Sequence, residues 1–234
     1  MRKMVFFSAL LLIGSSPALL AIQPEISSGW NSKPVVQASK FLAVTSHPQA
    51  TEVAHQILKR GGSAVDAAIA AQMVLTLVEP QSSGIGGGGF LLHYSAKNSQ
   101  IQAFDGRETA PTTALPSLFL DENDNAMSAE QALQGARTVG TPGLLAMLGM
   151  AHKQYGRLPW PQLLQPAIEL AENGFVISPR LQTLIQNDKL LCKNASTRQY
   201  FCDEHGQAKV AGTILQNPLL AGSLRMIAKQ EPAA

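Results

Sequence analysis

Charged and aromatic side chains are both scarce in this sequence, at 15% and 6% of its 234 residues. The 18 basic and 16 acidic residues alternate along the chain, with no basic block and no basic stripe interleaved with aromatics. A nucleic-acid partner is therefore not expected. Beyond the first twenty or so residues, no apolar run approaches the roughly 20 residues that a transmembrane helix needs. The Gly-x-Ser-x-Gly nucleophile elbow is missing. His47, His55, His93, His152 and His205 are scattered, none at metal-ligand spacing on a helix and none paired with a Ser or Cys nucleophile. These absences exclude a metal centre or a self-sufficient catalytic apparatus built from contiguous motifs, and no cofactor is expected. What is present in quantity is apolar: 45% of residues are hydrophobic, enough for a packed core. At about 150 residues per domain, the length suits one domain or a domain and a half.

The first twenty-one residues have the layout of a secretory signal peptide. Arg2 and Lys3 form a short positive start, residues 4–13 are apolar apart from Ser8, and Gly14, Ser15, Ser16 and Pro17 break the run before Ala18 and Ala21. Ten apolar residues span only about 15 Å, half a bilayer core, which favours export over anchoring. Export bears on the two cysteines. Cys192 and Cys202 are ten residues apart, and an oxidising compartment makes a disulfide reasonable, with two free thiols as the alternative.

Residues 22–40 carry no periodic apolar pattern and read as a flexible leader. A helix follows, with Ser46 as the expected cap, Pro48 in its first turn, and Ala50, Val53, Ala54, Ile57 and Leu58 on one face. Gly61 and Gly62 supply its stop. Ser63 and Asp66 form a capping-box pattern ahead of 65–78, which is apolar nearly all round and expected to be buried, until Pro80 ends it. Strands are expected at 90–94 and 101–105, and helices near 143–155, 161–173, 180–191 and 218–229.

Between the second helix and the first strand lies a glycine run. Gly84, Gly86 and Gly89 match the letters of a dinucleotide fingerprint, but that motif needs a strand before it and a helix after it. Here the order is inverted, so nucleotide binding is excluded. The run marks a backbone that approaches a ligand or another strand closely. Past the second strand, Asp105-Gly106-Arg107-Glu108-Thr109-Ala110-Pro111 leaves into a loop. Arg107 offers a planar fork of donors suited to a carboxylate, and equally suited to a structural ion pair with Asp105 or Glu108.

Three segments resemble the γ-glutamyltranspeptidase family: Gly61-Gly62-Ser63-Ala64-Val65-Asp66-Ala67-Ala68-Ile69-Ala70, Val78-Glu79-Pro80-Gln81-Ser82-Ser83-Gly84-Ile85-Gly86-Gly87-Gly88-Gly89-Phe90, and the Asp105–Pro111 string above. Weaker likenesses continue through Val139-Gly140-Thr141-Pro142-Gly143, Pro166-Ala167-Ile168-Glu169-Leu170-Ala171 and Gln216-Asn217-Pro218-Leu219-Leu220-Ala221. The resemblance implies an α+β fold, the αββα sandwich of N-terminal-nucleophile hydrolases, cut by itself from one precursor. It also implies that a threonine freed at the cut attacks the γ-amide of glutathione-like substrates, its own amine acting as base. The family's arginine grips the substrate α-carboxylate, and that role falls on Arg107.

The resemblance also implies a nucleophile beyond Ala234; the Thr112-Thr113 doublet lacks the cleavage-site context. The expected organisation is thus signal peptide 1–21, leader 22–40, and 41–234 as the N-terminal part of the large subunit, without its C-terminal catalytic partner subunit. A glutaryl-type β-lactam acylase of the same family would use Arg107 in the same way. A non-catalytic truncated remnant or partner subunit is the alternative of another class.

Overall fold

The computed structural model describes residues 34–133, 136–188 and 190–230. The expected signal peptide and most of the expected leader lie outside them. Helix α1 (Pro48–Lys59) begins one residue later than expected. Its cap is His47, whose Nδ1 accepts from the Gln49 N–H at 3.3 Å, while Ser46 stays outside. Proline at the first helical position fixes the boundary, because it needs no partner for a missing N–H. Ala50, Ala54 and Ile57 are buried, with Val53 and Leu58 packed against the core beside them. Gly61 ends the helix at φ +89°, a conformation in which side chains are strained.

Helix α2 (Ala64–Val78) is the centre of the molecule. Its capping box forms as expected, with the Asp66 N–H donating to Ser63 Oγ at 3.1 Å and the Ser63 N–H to Asp66 Oδ2 at 2.8 Å. Eleven of its 15 residues are buried. The rest (Ala64, Ala68, Gln72 and Leu75) follow one another at helical spacing and form a single more open stripe. Small residues around the remainder let α1, α4 (Leu144–Tyr155) and α5 (Trp160–Asn173) close in. Helix α8 (Pro218–Lys229) then packs on α5, tied by Trp160 Nε1 donating to the Ile227 carbonyl at 3.1 Å.

Strands β1 (Phe90–Ser95) and β2 (Gln100–Asp105) pair antiparallel, Phe90 opposite Asp105 and Ser95 opposite Gln100. One face of the hairpin packs toward α4 through Phe104 and Leu91. The other face carries Phe90, Leu92, Tyr94 and Ile101, between 61% and 73% exposed. A second pair joins β3 (Phe175–Val176) to β4 (Ile214–Leu215), which sequence periodicity does not reveal. Helix α3 (Ala129–Leu133) and a 3-10 turn at Pro116–Phe119 are likewise additions. Helix α6 (Pro179–Asn187) stops short of the expected 191, and α7 (Ala195–Phe201) follows within a loop closed by the Cys192–Cys202 disulfide. Among the described residues, no helix is long and apolar enough to cross a membrane.

Candidate functional site

The glycine run closes on another strand. Gly89 and Gly106 exchange both backbone hydrogen bonds, at 3.2 and 2.9 Å, and so extend the β1–β2 ladder by one pair. Gly87 accepts from the N–H groups of Gly143 and Leu144 at 3.2 and 3.1 Å, pinning the start of α4 to the run. Gly88 is the tightest point. A Cβ there would stand 2.4 Å from the Gly106 carbonyl and 2.7 Å from Glu108 Oε2. Gly140 presses on the same glutamate, 2.9 Å from a Cβ at that position to Glu108 Cβ. Glycine thus lets three backbone segments meet around Glu108.

The open stripe of α2 faces the groove that results. Ala68 and Gln72 form its floor; residues 80–84 and 87–89, the first residues of β1, Glu108 and the α4 residues Leu144, Met147 and Leu148 form the remainder. The groove encloses about 610 Å³, in the range of small-molecule sites. Both its halves were visible in the sequence, as the glycine run and as the Asp105–Pro111 string. Their meeting through Glu108 was not.

Arg107 stands at the exit of β2, its N–H donating to Asp105 Oδ1 at 2.9 Å. Its Nε lies 3.5 Å from Glu108 Oε2, with the arginine side chain 71% exposed and the glutamate 33%. So the ion pair that the sequence allowed is present. An exposed pair of this kind contributes roughly 0–1 kcal/mol, and most of the guanidinium fork faces solvent. Arg107 is not part of the groove's lining and stands beside it, joined through Glu108.

Behind the glycine run lies an arrangement missed in the sequence. Glu79, which caps α2, is 2% exposed, and its Oε2 accepts from Arg180 Nε of α6 at 3.2 Å and from Gln81 Nε2. Its carbonyl takes the N–H groups of Ser82 and Ser83 at 3.1 and 3.0 Å. His47 is nearby: burial lowers the pKa of its imidazole, and the Glu79 charge acts in the opposite sense. Among the described residues, no group of three or more His, Cys, Asp or Glu is placed to hold a metal ion.

Fold and loop geometry together define the class. The chain aligns with the structure of Helicobacter pylori γ-glutamyltranspeptidase at a TM-score of 0.78 and 34% identity, over 84% of this chain and 56% of that one. It has the fold of the N-terminal-nucleophile hydrolases, of which it covers about half. The gamma-glutamyltranspeptidase family model matches residues 50–234, and the chain belongs to that family. Glutathione hydrolase 3 of Arabidopsis thaliana is 40% identical over 201 residues, 86% of this chain and 30% of that protein. The glutathione hydrolase proenzyme of Bacillus subtilis (strain 168) is 35% identical over 212 residues, 91% of this chain and 36% of its own length. The chain thus spans about a third of the length of the curated relatives it matches.

Proposed function

We propose that this chain supplies the substrate-carboxylate clamp of an enzyme that transfers or hydrolyses the γ-glutamyl group of glutathione and similar compounds. The observation that carries this reading is the state of Arg107. Its backbone is anchored by Asp105, its guanidinium is open to solvent, and it stands beside a groove walled by the glycine run. A planar fork so placed can take both oxygens of an α-carboxylate. The family and the names of both relatives support the γ-glutamyl substrate over a glutaryl-type β-lactam.

In this reading the precursor is exported and cuts itself. The threonine nucleophile belongs to a C-terminal subunit, so the 234 residues alone turn nothing over. That subunit covers the hairpin face of Phe90, Leu92, Tyr94 and Ile101, an apolar patch of the kind that marks an interface. Expression together with the coding sequence downstream of Ala234 is the test. The expected product is two chains that hydrolyse a γ-glutamyl anilide and leave a glutaryl anilide nearly untouched. Equal turnover of both anilides would shift the reading to an acylase. A stop codon in place of a threonine-led second half would leave a non-catalytic remnant.

A further inference from the structure

The glycine-rich wall of the groove begins beside an ion pair between the buried Glu79 and the partly exposed Arg180. Residues 80–89 contain five glycines and two serines, a composition with little packing of its own to fix a conformation. Besides Ile85, which packs against the core, two sets of hydrogen bonds hold it. At its far end are the ladder pair of Gly89 with Gly106 and the Gly87 carbonyl with the start of α4. At its near end several described contacts converge on Glu79. The backbone carbonyl of Glu79 orders Ser82 and Ser83, and its carboxylate holds Gln81 and Arg180, 101 residues away in sequence.

A carboxylate 97% buried needs its hydrogen-bond partners in place, so Glu79 and Arg180 fix each other's place. Arg180 in turn sits in the first turn of α6, whose cap Ser178 accepts from the Leu181 N–H at 3.1 Å. The pair therefore connects the loop to a helix whose Leu181 and Ile185 are part of the core. A bond from one rigid element to the base of a pliant loop restricts where the loop's far end can stand.

We propose that Glu79 and Arg180 are positioning residues for the substrate site, holding the glycine-rich wall against Glu108 and thereby setting the pose of the Arg107 clamp. This rests on the γ-glutamyl reading for its kinetic consequence, but not for its structural one. Neither residue touches the substrate; both act through residues 82–89. The pair differs in this from the Arg107–Glu108 contact, which is exposed and adjacent in sequence.

Hydrogen exchange and steady-state kinetics on the full-length protein separate the two parts. In Glu79→Gln and in Arg180→Gln, the amides of Ser82, Ser83, Gly89 and Gly143 should exchange at least tenfold faster. The amides of α5 and α8 should keep their protection. KM for a γ-glutamyl anilide should rise about tenfold with kcat within threefold, because a displaced wall weakens ground and transition states alike. The double variant should lose less than the sum of the two single ones, since both remove the same ion pair. Arg180→Lys, which keeps the charge at a partly exposed position, should restore most of the exchange protection and covers the case in which Glu79→Gln does not accumulate. Unchanged exchange at Ser82 and Ser83 would overturn the proposal, as would faster exchange spread evenly over all helices. Faster loop exchange with an unmoved KM would remove the link to the site. Absence of turnover in the wild-type protein would fell the γ-glutamyl reading and leave the exchange result standing as the test of the brace.

Discussion

Asp66 and Arg157 are 91 residues apart, yet Asp66 Oδ2 accepts from the Arg157 N–H at 3.0 Å. The same oxygen takes the Leu158 N–H at 3.2 Å and the Ser63 N–H at 2.8 Å. What begins as a local cap on α2 is thus the fastening for the turn between α4 and α5. Asp66 is fully buried, so three backbone donors depend on one carboxylate that water does not reach. Asp66→Ala should cost on the order of 4 kcal/mol, because it leaves those donors unpaired. Asp66→Asn, which keeps one acceptor oxygen, should cost roughly half of that. Urea unfolding gives both values. A loss near 1 kcal/mol for the alanine variant, the ordinary value of a helix cap, would show that the long-range bonds contribute little.

The glycine run offers a comparison within one loop. A Cβ at Gly84 would meet nothing within 4 Å, while at Gly88 it would collide with the Gly106 carbonyl and with Glu108. Gly84→Ala should leave stability within about 0.5 kcal/mol of wild type. Gly88→Ala should displace Glu108 or break the Gly89–Gly106 pair, costing about 2–3 kcal/mol by overpacking. Thermal unfolding of the two variants side by side is the check, and equal transitions would refute the close approach at Gly88.

Helices were legible where local signals agree with burial. Asn217 followed by Pro218 gives the start of α8 to the residue, and Gly61 gives the stop of α1. The hairpin was legible from two apolar runs around a polar turn. Elements made by distant partners were not. The β3–β4 pair is two residues long and is held by the Ile177 N–H donating to the Thr213 carbonyl at 2.9 Å, a contact with no local signature. The same limit applied to the site. Arg107 drew attention by its type and its place after a strand, and its expected role came from the resemblance alone. Glu79 passed as an ordinary helix end, since its value comes from Arg180 far along the chain. The His47 cap was missed because serine ranks higher as a cap and stood one residue earlier.

Stability at high pH should report on Tyr200. Burial pushes its phenol up to about 12 from an ordinary value near 10, opposed in part by a hydrogen bond with Asn217. Between these values the unfolded chain binds fewer protons than the folded one. Stability should therefore be intact below pH 10 and fall as pH rises toward 12. Tyr200→Phe removes that titration and should flatten the decline relative to wild type. Chemical unfolding at pH 9, 10 and 11 decides it; parallel declines in both proteins would place the loss elsewhere.

The Arg107 prediction belongs to the full-length enzyme. If the guanidinium clamps the substrate carboxylate, Arg107→Ala should weaken productive binding by about 2–4 kcal/mol, a roughly 30- to 1000-fold loss in kcat/KM. The loss should appear mainly in KM if the clamp holds ground and transition states alike, and in kcat too if it aligns the γ-carbonyl with the nucleophile. Arg107→Lys should recover only part of it, because an ammonium cannot form the planar two-bond fork. Self-cleavage should survive in both variants, since the scissile peptide of a precursor is not a γ-glutamyl group. A purely structural arginine predicts the opposite pattern. Its ion pair with Glu108 is exposed and contributes at most about 1 kcal/mol, so the alanine variant would lose a little stability and no activity. An Arg107→Ala enzyme that folds, cuts itself and keeps the wild-type KM and kcat would take Arg107 out of the site, leaving the groove and its glycine wall without their anion-binding group.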